Sequence, residues 1–135
     1  MTSRDLDFLL NDFLDRVPDV THVIAVSADG LLIARNDELP EADADRLAAI
    51  ASGLVSLLSG AAASLKAAPV ISCLAEMYGG YMFSMAIDGG ASLLALASYD
   101  CDIGQVGHEL ADLINQIGEA ISPAVRNYSG DVSWR

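Results

Sequence analysis

HVIAVSADGLLIAR, residues 22–35, decides the fold. Two runs rich in aliphatic and β-branched residues, His22–Ser27 and Leu31–Ala34, flank Ala28-Asp29-Gly30. Asp-Gly supplies the positive φ angles that a tight hairpin turn demands, so the stretch predicts an antiparallel β-hairpin. On its N-terminal side, Leu6, Leu9, Leu10, Phe13, Leu14 and Val17 recur at helical spacing. They predict a helix over residues 4–17, with Thr2 or Ser3 as its cap and Pro18 as its stop. Asp5, Asp7, Asp12 and Asp15 on its other face read as a solvated surface.

Toward the C-terminus, the polar connection Asn36–Glu41 contains Pro40, and a long helical pattern then runs to about Lys66. Such a helix of about 26 residues spans about 39 Å, the width of a domain of this size. Pro69 restarts the chain. Val70–Met77, Tyr81–Ile87 and Ala91–Ser98 read as strands, separated by Tyr78-Gly79-Gly80 and Asp88-Gly89-Gly90. That is a β-meander with Gly-Gly turns. Asp100 or Asp102 can cap a last helix whose apolar stripe is Ile103, Val106, Leu110, Leu113, Ile114, Ile117 and Ile121, closed by Pro123. The order is α-β-β-α-β-β-β-α, which predicts an α/β (α+β) fold: one antiparallel five-stranded sheet with helices packed on it. Residues 4–123 form the expected domain. Residues 124–135 read as a mostly polar, flexible tail, loose or docked on a partner, apart from Trp134.

Apolar residues make up 53% of the 135, without counting Gly. About 45–50% with Gly included is usual, so either the core is unusually large or a partner covers apolar surface. The net charge is −12, from 19 acidic and 7 basic side chains. The basic residues stand singly, without the stripe that a nucleic-acid binder needs. An anionic membrane surface is disfavoured for the same reason. Two cysteines without a CxxC pattern, behind a polar and acidic N-terminus, predict a reduced, cytoplasmic protein.

The residues that carry chemistry are sparse. His22 and His108 are the two histidines, in no metal-binding spacing, and both read as structural. Cys101 sits where a helix dipole could lower a thiol pKa, but Asp100 and Asp102 flank it and oppose a thiolate. Cys73 reads as a small core residue. No GxxxxGK[ST] or GxGxxG is present, and the paired glycines are turns. No GxSxG elbow is present. Asp43 and Asp45 complement a helix dipole. The expectation is no catalytic residue, no metal and no cofactor.

The second helix is the informative element. Between Arg46 and Lys66 it carries no charge. Leu47, Ile50, Leu54, Leu57, Leu58, Ala61 and Leu65 lie on one face; Ala49, Ser52, Ser56, Ser59, Gly60 and Ala63 lie opposite. A helix that lies on a sheet at the surface should show charges on its outer face. Small residues let a second backbone come close. The pattern therefore predicts leucines on the sheet and a partner over the small residues. Serines, glycines and the lack of a flanking Lys/Arg excess argue against membrane insertion. An Ala-rich helix left bare is the plainer alternative.

The run from about Asp5 to Pro123 resembles the roadblock/dynein light chain family. Residues 22–35 resemble its first hairpin, Ala61–Leu65 the end of its long helix, Tyr78–Ile87 and Ser92–Ala97 its later strands, and Asp102–Leu110 the opening of its last helix. The likeness is greatest to the bacterial MglB-like branch and to the roadblock proteins of actinobacterial conservons. It implies a profilin-like layering, with the long helix on one face of the sheet and the terminal helices on the other. It implies a homodimer joined through the third strand and second helix, and a small Ras-like GTPase bound on the paired second helices. A sensor-kinase-like protein is a further partner that it suggests. The interface candidates that follow are Ala49, Ser52, Ser56, Ser59, Ala63, Val70, Ser72 and Leu74. Arg35 and Arg46 are the nearby arginines, and the family pattern gives neither a finger role. A regulator or scaffold that is not itself an enzyme is the expected function. A small-molecule sensor or a purely structural dimerisation module is the alternative.

Overall fold

A computed structural model describes residues 3–120. Pro123, Ile121 and the tail expected at 124–135 lie outside the described residues. The first helix, α1, is Ser3–Arg16, and the amide of Val17 still bonds to Phe13 O at 2.9 Å before Pro18 ends the run. The hairpin follows as β1, Val20–Val26, and β2, Leu32–Arg35, antiparallel as expected. Its turn is longer than a two-residue Asp-Gly loop. Ser27 and Leu31 close it with a 2.8 Å bond, and Gly30 alone has positive φ, at 86°. A three-residue loop whose last residue is left-handed puts that demand on the glycine and frees Asp29 from it. Asp29 instead takes a hydrogen bond from the Ser27 hydroxyl, which itself accepts from Leu31 N–H at 3.0 Å.

The long helix, α2, is Glu41–Ser64. It ends with Lys66 left-handed, at φ 58°, while Ala67 N–H bonds Ala62 O at 2.8 Å and Lys66 N–H bonds Ala63 O at 3.2 Å. That is the Schellman closure, here without its usual glycine. The meander is β3, Ser72–Met77, β4, Gly80–Ala86, and β5, Ser92–Ser98, with a short 3-10 turn at Asp88–Gly90. The last helix, α3, is Ile103–Ala120. Of its two candidate caps Asp102 is the one used, its Oδ1 accepting the Gln105 amide at 3.1 Å.

The sheet order is β2-β1-β5-β4-β3, antiparallel throughout. β5 sits in the centre and β1 pairs with it, Val23 opposite Ala95. Side chains alternate across the sheet. Val23, Ala25, Leu93, Ala95, Ala97 and Phe83 point to α1 and α3, where Leu10, Phe13, Leu110 and Leu113 complete the larger core. Ile24, Val26 and Leu94 point the other way, to Ala44, Ala48 and Ala51 of α2. The layering is the one the resemblance implied.

One buried polar residue locks the hairpin to the core. Asn36 is buried just past β2. Its Oδ1 accepts Val23 N–H at 2.9 Å, its own N–H donates to Val23 O at 3.2 Å, and its Nδ2 meets His22 Nδ1 at 3.2 Å. Asn36→Ala removes the side-chain bonds and orphans a buried amide. Urea denaturation is expected to show a loss of about 2 kcal/mol. A loss too small to resolve would mean that the Val23 amide finds another acceptor.

Candidate interaction surface

α2 meets the sheet mainly through alanines rather than through the face richest in leucine. Ala44, Ala48, Ala51 and Ala62 are buried, and Val55 and Leu58 between them are half-buried. These six recur at three- and four-residue steps and form one stripe. The helix is turned by about a quarter-turn from the orientation expected of the leucine face. Ile50 is exposed, Leu57 is 77% exposed and Leu65 76%, while Leu47 packs beside the core under α2. The physical reason is size. Alanines let the helix axis come down close over Ile24, Val26 and Leu94, where leucines would hold it off. Ranking the faces by bulk therefore put the wrong stripe inward. By length and composition α2 could also cross a membrane, but its alanine stripe is already packed on the sheet.

The expected interface residues separate into two groups. Ala49, Ser56, Ser59 and Ala63 are exposed on α2. Ser52 is half-buried and turned toward Gly30 in the hairpin loop: a β-carbon added there would stand 3.1 Å from the serine side chain. On the third strand and its approach, Val70 is half-buried, and Ser72 and Leu74 are exposed. Beside them lie large apolar side chains that the sequence reading did not assign to the surface: Ile50, Leu57, Leu65, Ile71 and Met77. Most of the exposed large apolar residues of the described chain thus fall on α2, β3 or the connection between them. The alanine periodicity from 44 to 62 was the signal that could have found them.

The two edges of the sheet differ. At β2, Asp7 on α1 accepts the Arg35 amide at 3.1 Å, and Asn11 accepts the Asp37 amide at 2.9 Å. Side chains of α1 thus cap the end of that edge. At β3, pairing with β4 uses one side of the strand, and its residues are mostly exposed. An exposed edge strand is a template for another chain. Between β3 and the second half of α2 runs an open apolar groove of about 710 Å³, whose walls include Val55, Leu58, Val70, Cys73, Ser84 and Ser92.

No group of three or more His, Cys, Asp or Glu side chains able to hold a metal occurs among the described residues. His22 is held by Asn36, and exposed His108 lies 3.6 Å from Asp112. Burial raises the Cys101 thiol pKa, and the carboxylates of Asp19 and Asp102 raise it further, so the helix end does not make a thiolate of it. Tyr99 stacks on Tyr81 at 5.3 Å and donates to Glu76 at 2.8 Å, which raises the pKa of its phenol. Arg35 is engaged too, donating to Leu39 O at 2.6 Å. Arg46 is largely exposed at the start of α2, 3.6 Å from Asp43.

Residues 6–97 match the Roadblock/LC7 domain. The chain belongs to the Roadblock/LC7 family. A Roadblock/LC7 domain from Streptomyces avermitilis superposes with a TM-score of 0.78 at 30% identity, over 82% of this chain and 92% of that one. A second such structure from that organism reaches 35% identity and a TM-score of 0.69, over 82% and 96%. MglB of Myxococcus xanthus shares the fold at 14% identity, with a TM-score of 0.78 over 85% of this chain and 86% of its own. No curated protein matches the chain. Roadblock/LC7 domains are regulatory and generally not enzymes, and no catalytic family is indicated.

Proposed function

We propose that this Roadblock/LC7 chain is a cytoplasmic, non-catalytic homodimeric regulator or scaffold that binds a small Ras-like GTPase. One observation carries the reading: exposed apolar residues of α2 and β3 adjoin an open strand edge. Monomeric soluble proteins rarely expose apolar patches larger than a few hundred Å². Covering this one with a second copy would pair β3 with β3 and bring the two α2 helices together. A structure of MglB in a tetrameric arrangement, alike in fold at 11% identity and a TM-score of 0.76, is a precedent for self-assembly on this architecture. The GTPase follows from the MglB-like resemblance, and the uncharged outer face of α2 is where it would sit. Any activation of hydrolysis would come from ordering the GTPase's own switch loops, since the family resemblance gives neither Arg35 nor Arg46 a finger role. A sensor-kinase-like protein is a further candidate partner.

Light scattering is expected to give twice the 14.1 kDa chain mass. Ser56→Arg places a long cation on exposed α2 and should break assembly or GTPase capture while the monomer stays folded. Unchanged assembly and capture would remove α2 from the interface. Single-turnover hydrolysis by a GTP-loaded Ras-like GTPase, with and without the chain, separates a regulator from a purely structural dimer. The chain alone should turn over no GTP, and saturable turnover would overturn the non-enzyme reading.

A further inference from the structure

The open edge of β3 has the same character read in either direction. Ile71 O accepts the Ala86 amide at 2.9 Å, so the ladder to β4 begins there. Alternate residues of an antiparallel strand bond to the same neighbour. Ile71, Cys73, Ala75 and Met77 therefore bond to β4, while Ser72, Leu74 and Glu76 turn their amides and carbonyls away from it. Residue types mirror one another about Leu74. One step away on either side stand small residues, Cys73 and Ala75. Two steps away stand hydrogen-bonding ones, Ser72 and Glu76, and three steps away large exposed apolar ones, Ile71 and Met77. A two-fold interface sets one surface against itself, so that i meets j wherever j meets i. An edge that pairs antiparallel with its own copy needs this mirror symmetry.

We propose that two copies of this chain join their β3 edges antiparallel with Leu74 on the two-fold axis. This rests on the dimer reading and fixes which residues meet within it. Leu74 meets Leu74, Ile71 meets Met77, Cys73 meets Ala75, and the Ser72 hydroxyl faces the Glu76 carboxylate. All three outward residues enter the ladder, and Ile71, Leu74 and Met77 each gain an apolar mate. Moving the axis to Cys73 sets Leu74 against Ser72 and Ile71 against Ala75. Moving it to Ala75 sets Leu74 against Glu76. Moving it to Glu76 opposes two carboxylates, each held in place by a Tyr99 hydroxyl that donates at 2.8 Å. Like charges directly opposite destabilise a strand pair. Every shift also takes at least one outward residue out of the strand pairing.

Cys73 makes the register measurable. With Leu74 on the axis, Cys73 lies opposite Ala75 of the second copy in a non-hydrogen-bonded pair, where Cα atoms are about 4.5 Å apart. The two Cys73 residues are diagonal neighbours at about 7–8 Å. A disulfide spans Cα separations of roughly 4.4–6.8 Å. In a Cys101→Ser background treated with diamide, Ala75→Cys is expected to form a covalent dimer at least about tenfold faster than Cys73 alone. Adding Cys73→Ser should abolish that cross-link. Fast cross-linking through Cys73 alone would overturn the proposal and put the axis at Cys73, and a cross-link that survives Cys73→Ser would put it at Ala75. A non-covalent dimer that Ala75→Cys leaves unlinked overturns it too. Should Ala75→Cys lose its native circular dichroism, Ile71→Cys combined with Met77→Cys and Cys73→Ser joins the next facing pair and is read in the same way. A chain that light scattering finds monomeric at every concentration would overturn the dimer reading and the register with it, whereas the other adverse outcomes leave the dimer standing.

Discussion

Ile71→Asp is expected to weaken self-association on the order of a hundredfold while leaving the monomer's stability almost unchanged. Ile71 is 71% exposed, one residue before β3, where α2, the groove and the open edge meet. In the monomer its side chain is already in water, so an aspartate costs little there. In a two-fold interface the substitution occurs twice, once on each side. Each copy forfeits on the order of 1–2 kcal/mol of apolar burial and must also desolvate a carboxylate. A loss of about 2.7 kcal/mol is already a hundredfold in Kd. Sedimentation equilibrium over a concentration series measures the effect, and urea denaturation of the same variant controls for folding. Assembly as tight as that of the unaltered chain would place the interface elsewhere.

Gly80→Ala should be the most damaging small change in the sheet, at about 3 kcal/mol of folding stability. Gly80 opens β4 and is buried beside β5, opposite Ser98. A β-carbon built there would lie 2.5 Å from the carbonyl oxygen of Ala97. That neighbour is backbone of the central strand and cannot rotate away. Relief requires β4 to move off β5, which strains the pairing that also holds β3. Thermal or urea unfolding reads the loss directly. A Gly80→Ala chain within about 0.5 kcal/mol of the parent would show that the turn relaxes freely.

The sequence made local structure readable and left non-local structure hidden. Helix ends and strands were legible because Pro18, Pro40, Asp102 and the glycine turns act on their immediate neighbours. The pairing of β1 with β5 was not, since Val23 and Ala95 meet across most of the chain and neither residue type names its partner. The layering was legible only through resemblance. For the surface, the lack of charge on α2 was legible, but the orientation of the helix was not. A helical wheel ranks residues by bulk, while contact with a sheet depends on how close the backbone can come. Ala44, Ala48 and Ala51 look neutral on such a wheel and are the three residues that touch the sheet most intimately. Ile71 escaped notice because its exposure depends on where α2 ends relative to β3. Asn36 read as loop, since the buried amide it satisfies is 13 residues away in sequence.

The unequal edges of the sheet also set a limit on growth. Strand addition at β3 needs only a free ladder of amides and carbonyls, and a two-fold copy would consume both β3 edges at once. The next place to extend would be β2, where Asp7 already accepts the amide of the last strand residue, Arg35, and Asn11 that of Asp37 just beyond the strand. A further strand at β2 would first have to displace Asp7 from the Arg35 amide. A two-fold pairing through β3 would leave that partly capped edge outermost on both sides, where two bare edges could propagate as a filament. For a chain with this much exposed apolar side chain, one carboxylate on α1 thus guards an end of the edge that such a pairing would leave outermost.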